Sequence, residues 1–399
     1  MKGSCLRVPP LGLMLAGSML FGVLGGCSML GKTTDTVTGW FGAGKPRAAK
    51  PAELTEFKAS RQLNRAWNSA TAESGRGVFS PAADTEAVYA AGESGRIARF
   101  NLHSGSEVWR VDLGKTLSAG VGAGGGLVLA GGLKGEVFAL EAANGRKKWE
   151  AKLSSAISAA PQVDSGIVVV RTGDGRIYGL DAADGTRKWL YTRQLPALSL
   201  QGLSGLGVSN GVAYAGYPGG KLVAIKLSNG IQLWEVNVSL ARGATELERV
   251  NDVAGRPVVD ERKVCAVTFQ GRVACFGRER GELLWARDMS SDAGLSMDEQ
   301  YVYVTDDKDA VTAMDKETGR AAWRQDKLAN RQLTAPLALG KYVAVADLEG
   351  YVHVLSAEDG SFAARLQTEN SVVRATPLDI GPGFVVQTVK GNVTALKLN

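Results

Sequence analysis

One phrase recurs along this chain and limits what it can fold into: a glycine followed four positions later by tryptophan. It is found at Gly105/Trp109, Gly145/Trp149, Gly185/Trp189, Gly230/Trp234, Gly281/Trp285 and Gly319/Trp323. A seventh copy is degenerate, with Ala364 four residues after Gly360. Upstream of each turn lies a second piece, seen in "GRIARFNL", "GEVFALEA" and "GRIYGLDA", which returns eight times and last as "GNVTALKL" at 391–398. Apolar runs such as "GIVVVRT", rich in Val and bounded by Gly, precede these pieces and read as strands entering tight turns. One repeat is therefore strand, Gly turn, strand, Gly turn, Trp strand.

The tryptophans are spaced at about 40 residues, a period that in an all-strand pattern indicates a propeller or a solenoid. Helical repeats of that length are disfavoured, because Gly interrupts every stretch that would need a 3.6-residue period. An open array leaves strand edges exposed, whereas a closed ring protects them. The last signature has no Trp strand after it, but "RQLNRAWNSA" places Trp67 42 residues before Trp109. An N-terminal strand completing the C-terminal blade predicts an all-β, eight-bladed propeller of four-stranded antiparallel blades over residues 58–399. The repeated tryptophans (Trp67, Trp109, Trp149, Trp189, Trp234, Trp285 and Trp323) are read as structural, each packing its ring on the adjacent blade and giving its N–H to a carbonyl.

Residues 1–26 carry Lys2 and Arg7 and then "LGLMLAGSMLFGVLGG", too short and too near the start for a stable spanning helix, and read as an export signal. Leu24-Gly25-Gly26-Cys27 resembles the bacterial lipobox, which implies cleavage before Cys27 and acylation of its thiol. Ser28, where Asp would imply inner-membrane retention, implies an outer-membrane destination. Residues 27–57 read as the lipidated Cys and a flexible tether reaching roughly 30 Å as a coil. Within it Trp40-Phe41 is either a membrane or partner contact or plain linker.

Only Cys265 and Cys275 are left beside Cys5 in the signal and the lipobox Cys27. A three-residue loop with Gly271 left-handed places them opposite each other, and a two-residue turn sends them to opposite faces. A cross-strand disulfide and two buried thiols both remain open. The net charge is +6, and loss of Lys2 and Arg7 leaves 6 − 2 = +4, with no basic cluster interleaved with aromatics to suggest nucleic acid. The two histidines, His103 and His353, are too few for a metal triad or a Ser-His-Asp site. Most acidic residues, such as Asp174, Asp181, Asp184, Asp315 and Asp359, stand in turns where Asp accepts backbone bonds. "GAGGG" at 122–126 lacks the following Lys-Ser/Thr and helix of a phosphate loop. No catalytic residue, metal site or cofactor is expected.

The hairpins resemble the repeats of eight-bladed propellers named for the pyrroloquinoline quinone dehydrogenases. Those enzymes are longer, often carry a vicinal Cys-Cys, and use a Glu/Asn/Asp set around Ca²⁺, none of which is identifiable here. A quinone-dependent enzyme or ligand-binding periplasmic propeller is thus the lesser reading. The whole chain, with its lipobox, tether and eight repeats, is similar to the BamB family of outer-membrane assembly lipoproteins. "LPALSLQGLSGLG" (195–207) and "GATELERVNDVAGRPVV" (243–259) resemble two of its segments. They fall where the Trp spacing lengthens to 45 (189 to 234) and 51 (234 to 285), in connections between blades, where binding commonly resides.

The resemblance implies a non-catalytic scaffold of the β-barrel assembly (BAM) complex, lipid-anchored on the periplasmic face of the outer membrane. Its implied partners are the periplasmic POTRA domains of BamA, the other BAM lipoproteins and unfolded outer-membrane protein clients. Leu198 and Leu200 match two leucines of the family, and Asp252 matches its first Asp. Gln201 stands in place of an Arg and Ala254 in place of a second Asp. A cluster of Leu195, Leu198, Leu200, Leu203 and Leu206, flanked by Arg242, Glu246, Glu248, Arg249 and Asp252, is expected to form the docking surface.

Overall fold

A computed structural model describes residues 50–196, 198–199 and 204–399. The signal, Cys27 and Trp40-Phe41 lie outside the described residues, as do Leu200, Gln201 and Leu203. Residues 50–399 form one compact unit. Within it the chain forms eight antiparallel four-stranded sheets, here called blades, with strands A to D running from the innermost outward. Blades 1 to 7 span residues 82–112, 122–152, 162–191, 206–237, 253–288, 294–325 and 337–367. Blade 8 takes strands A to C from residues 378–398 and strand D from Leu63–Ala70. Neighbouring A strands pack around the ring, so the molecule is an eight-bladed β-propeller.

Strands B and C are covered on both faces by adjacent blades, and their sequences are continuous apolar runs such as Ala87–Ala91 and Leu127–Gly131, buried throughout. The D strands lie at the periphery, and there Trp is buried among exposed polar neighbours, as in Lys147–Lys152. Each indole N–H donates to a backbone carbonyl of the next blade. Trp67 bonds Leu102 at 2.9 Å, Trp109 bonds Ala142 at 2.9 Å, Trp234 bonds Arg278 at 3.0 Å and Trp285 bonds Lys316 at 2.8 Å. Trp149, Trp189 and Trp323 do the same to Ala182, Leu227 and Ala357. Burying such a ring is worth roughly 4–6 kcal/mol gross by its area.

The turn glycine of each receiving blade lies under that ring. Gly105 has φ +68°, and a Cβ there would sit 2.5 Å from the Trp67 ring. Only Gly supplies both the left-handed backbone and the empty volume. The degenerate seventh repeat follows from the same contact. Blade 7 faces blade 8, whose strands C and D come from opposite ends of the chain, so no turn glycine is there for a Trp to cover. Instead Ala363 and Ala364 pack in one cluster with Leu63 and Leu396.

The ring closes by pairing Leu63–Ala70 with Asn392–Leu398, from Leu63 opposite Leu398 to Ala70 opposite Asn392, with a register shift between Arg65 and Trp67. Gln62 and Asn399 exchange both backbone bonds just beyond it.

Residues 50–57, expected in the flexible tether, are instead docked on the ring. The Ala52 N–H donates to Ala329 O and the Arg331 guanidinium to Ala52 O, both at 2.9 Å. Arg365 donates to Thr55 O at 3.0 Å, and Phe57 stacks on Phe362 with centroids 5.2 Å apart. Ser60 and Arg61 donate to Ala363 O. Leu54 and Phe57 are apolar and find an apolar strand edge, which offsets the entropy of ordering the segment. The receiving arginines are held from beneath: Arg331 bonds Asp347 at 2.7 Å, Asp347 bonds His353 at 3.0 Å, and Arg365 donates to His353 Nδ1 at 3.1 Å. His353 is thus a satisfied core histidine, fully buried.

Cys265 and Cys275 are directly opposed in blade 5 and joined by a disulfide, with Cα atoms 4.1 Å apart. The loop between Lys263–Thr268 and Arg272–Gly277 has three residues, but the left-handed position is Gln270 at φ 48°, not Gly271. Gly271 is needed for space instead, since a Cβ there would collide with Thr268 and Ser239.

Candidate docking face

Antiparallel order places the B–C turns and the D-to-A connections on one rim of the ring, called upper here, and the A–B and C–D turns on the lower. Both long connections, 192–205 between blades 3 and 4 and 238–252 between blades 4 and 5, therefore lie on the upper rim, flanking blade 4. Their length is what distinguishes this side of an otherwise regular ring.

The second connection has a defined frame. Thr245 Oγ1 accepts from the Glu248 N–H, while the Glu248 carboxylate accepts from the N–H groups of Ala244 and Thr245 at 2.9 and 3.0 Å, a reciprocal cap on the turn 246–249. Those backbone donors hold the Glu248 carboxyl below its ordinary range. Arg249 is exposed and 3.9 Å from Glu246, both side chains largely in solvent. Leu240 and Leu247 project outward at 65% and 71% exposure. Asn251 is buried and hydrogen-bonded to Ser239 at 3.0 Å.

Asp252, expected as a rim charge that orients a partner, is a buried structural residue at 3% exposure. Its carboxylate accepts from the Gly219 N–H at 3.2 Å, and its carbonyl accepts from the Phe269 N–H. A carboxylate at the foot of a connection can satisfy donors of the neighbouring B–C turn, and burial follows.

The expected leucine cluster is divided. Leu198 is exposed, at 48%. Leu195 packs inward beside the cluster shared by blades 3 and 4, and Leu206 is buried in strand A of blade 4 at 2%. Leu200, Gln201 and Leu203 fall outside the described residues. Leu198, Leu240 and Leu247 are thus the described leucines left in solvent on this face.

A cavity of about 560 Å³ on the same rim reaches from the connections before blades 2 and 3 to Asp252, and is lined by Ser118, Ser155, Arg171, Leu195, Tyr217 and Asp252 among others. The Arg171 guanidinium lies over the Tyr217 ring at 4.7 Å and donates to Ser204 O at 3.1 Å. Burial pulls its pKa down, against the attraction of Tyr217 and Asp252. Arg193 approaches the same ring at 5.4 Å and forms a two-pronged pair with Glu235. Burial pushes the Tyr217 hydroxyl above its ordinary value, and it donates to Gly175 O. This stacked Arg-Tyr-Arg unit fixes the base of the first connection. Nothing in the repeat signalled it, because Arg171 and Tyr217 belong to different blades and meet only through ring packing. No group of three or more potential metal-ligating side chains occurs among the described residues.

Fold and site together define an eight-bladed propeller with PQQ-type repeats and two lengthened connections on one rim. Residues 93–325 and 310–399 match the protein family described as "Outer membrane protein assembly factor BamB". Proteins of that description from Burkholderia pseudomallei and Pseudomonas aeruginosa are 41% and 45% identical to this chain, over 86% of it in each case and 90% and 92% of their own lengths. The crystal structure of BamB from Moraxella catarrhalis superposes with a TM-score of 0.77 at 26% identity, covering 84% of this chain and all of that one. The quinohemoprotein alcohol dehydrogenase of Comamonas testosteroni, at 14% identity and a TM-score of 0.63, shares the fold alone. The chain belongs to the BamB family of outer-membrane protein assembly factors.

Proposed function

We propose that this protein is a non-catalytic scaffold of the outer-membrane β-barrel assembly complex, which holds the periplasmic POTRA domains of BamA on the upper rim around blade 4. The observation that carries the reading is the pairing of two long connections on one rim of a rigid ring, both presenting leucines to solvent. Exposed apolar side chains bordered by charge are the usual composition of a contact patch. Arg249 and Glu246 supply that border. The lipobox at Leu24–Cys27 supports attachment by acyl chains to the outer membrane, and export supports a periplasmic position.

Titration with the periplasmic domains of BamA tests the docking. Leu198→Ala combined with Leu200→Ala is expected to weaken binding by roughly 2–4 kcal/mol, the scale of hot-spot truncation, with thermal stability unchanged. Wild-type affinity in that variant would move the contact elsewhere on the propeller. Cys27→Ala is expected to release the protein from membranes, and retention after a high-salt wash would overturn the anchor.

A further inference from the structure

Two guanidinium groups lie over the ring of Tyr217, and only one of them has an acid to bind. Arg193, 5.4 Å from the ring centroid, holds the Glu235 carboxylate in a two-pronged pair. Arg171, at 4.7 Å, forms no ion pair with a described residue. Among the described residues its hydrogen bonding goes to Ser204 O alone, at 3.1 Å, although a guanidinium carries five N–H donors. The residue is more than nine-tenths buried, at 8% exposure, yet none of its nitrogens is shut away from solvent without a partner. The remaining N–H groups therefore open into the cavity that Arg171 lines.

The walls supply further donors. Ser155 and Ser199 line the same cavity, and neither hydroxyl has a hydrogen bond among the described residues, whereas those of Ser118 and Ser158 already donate to Ile157 O and Arg171 O. Asp252 is the one carboxylate among the described residues of the lining. It attracts Arg171 from beyond ion-pair distance and is engaged by the Gly219 N–H. A second arginine offsets its charge. Strand A of blade 5 bulges between Ala254 and Val258, and there Arg256 stands so close to Gly205, the neighbour of Ser204, that a Cβ on Gly205 would lie 3.3 Å from its own. Arg256 has no ion pair among the described residues, and desolvation pulls its pKa down with no partner acting against it. Two arginines without a carboxylate of their own thus stand near one aspartate, and enclosed charge of that kind is costly until a counter-charge meets it.

We propose that this cavity binds a carboxylate, delivered by an acidic side chain of the protein that docks on the upper rim, with Arg171 as the cation that receives it. The chemistry follows from the neighbouring pair. The same ring already orients Arg193 for a two-pronged carboxylate, the shape that a flat guanidinium fork matches. At about 560 Å³ the cavity is many times the ~30 Å³ share of one water, so it admits a side-chain stem as well as its charged head. Leu195 and Ser199, from the first long connection, stand in its wall and join it to the docking face. The proposal rests on the reading of that face as a docking surface, and adds to it the charge that the partner must bring.

The test follows the Arg171 Nε–H resonance of the full chain in detergent, identified by its absence in Arg171→Gln. The probes are N-acetylglutamate α-amide, N-acetylglutamine α-amide and inorganic phosphate, at matched ionic strength. The glutamate compound should shift the resonance saturably and its neutral analogue should not. Phosphate should bind more weakly, because a dianion meets more repulsion from Asp252. In the titration with the periplasmic domains of BamA, saturating glutamate compound should weaken wild-type docking at least about tenfold. Arg171→Gln should weaken docking as much and no longer respond to the compound. Competition in the wild type does not depend on how a variant folds, and Ser155→Leu, which fills the cavity without touching the bond from Arg171 to Ser204, should act like Arg171→Gln. Equal shifts with the glutamate and glutamine compounds, or no shift, would overturn the carboxylate site. Phosphate binding as tight as that of the glutamate compound would reassign the cavity to phosphate and also overturn it. Docking that neither the compound nor Arg171→Gln alters would leave the scaffold standing and remove this cavity from its interface. A wild type that takes up the glutamate compound but not BamA would instead refute the docking reading, and the acidic partner with it, while the carboxylate site stands.

Discussion

The indole nitrogen of Trp323 lies 2.8 Å from the carbonyl oxygen of Ala357 across the junction of blades 6 and 7, and one junction further on the corresponding residue is Ala364. Seven tryptophans fasten eight blades because the eighth receiving blade is made of the two chain ends. Stability of the ring therefore depends on closure by Leu63–Ala70, and Trp67 is the fastener that the closing strand brings with it.

Trp67→Ala is expected to destabilise the ring by about 3–5 kcal/mol, the usual cost of emptying a large aromatic site. Trp67→Phe keeps most of the packing but leaves Leu102 O without its donor, at a cost of about 1–3 kcal/mol. Urea denaturation of both variants gives the order, and equal midpoints for Trp67→Ala and wild type would mean that closure does not use this contact.

The disulfide between Cys265 and Cys275 closes a short loop in strands that are already paired. Its removal by Cys265→Ala with Cys275→Ala should cost about 2–3 kcal/mol through the unfolded state. The same shift in the urea midpoint is expected when the wild type is unfolded in reductant and absent when the variant is. A reductant effect on the double variant would point to another thiol.

Asp252 and Arg249 separate folding from binding. Asp252→Arg places a cation in a buried site next to Arg171 and removes the acceptor for Gly219, so it should lower the melting temperature, by about 3 kcal/mol or more in stability terms. Arg249→Glu changes an exposed charge and should leave the melting temperature in place while altering the salt dependence of BamA association. A stable Asp252→Arg protein would mean that the Asp252 side chain does not sit in a buried site.

Acidification should loosen the support of residues 50–57. Burial holds the His353 imidazole below its ordinary value of 6.5, against the pull of Asp347, so below about pH 6.5 the unfolded chain takes up a proton that the folded one refuses. Stability then falls as pH drops from that value, by at most about 1.4 kcal/mol per unit. Asp347 acts in the same direction lower down: burial raises its pKa, but the bonds from His353 and Arg331 outweigh that and hold it below the usual carboxylate range. Urea midpoints near pH 7.5 and 5.5 should differ for wild type and converge for His353→Gln, and the protection of the Ser60 and Arg61 amides relative to their intrinsic exchange rates should fall on the acidic side. Equal slopes in the two proteins would assign the pH effect to other groups.

The sequence by itself determined the architecture, because the repeat is written in residues with one physical use each. Gly at a left-handed turn under a ring, Trp at a blade junction and doubly covered Val runs are local requirements, and their period of about 40 counts the blades. Even the closure could be read, since a missing Trp strand at one end and an extra one at the other are arithmetic. The opposition of Cys265 and Cys275 followed once the loop length was three, although Gln270 rather than Gly271 took the left-handed position.

Tertiary structure alone decided what faces water. Asp252 and Leu206 read as rim residues because connection length marks a surface but cannot say which side chains turn inward, a choice made by donors and cavities of a neighbouring blade. Residues 50–57 read as tether because Leu54 and Phe57 have no partner in their own repeat; Phe362, Arg331 and Arg365 lie about 280 to 310 positions away and reach them only when the ring closes. Leu233, Leu283 and Leu284, on the outer strands of blades 4 and 5, look like any strand residues in the sequence. Among the described residues, the ring leaves them in solvent while Phe362 is buried under the docked segment that carries Phe57.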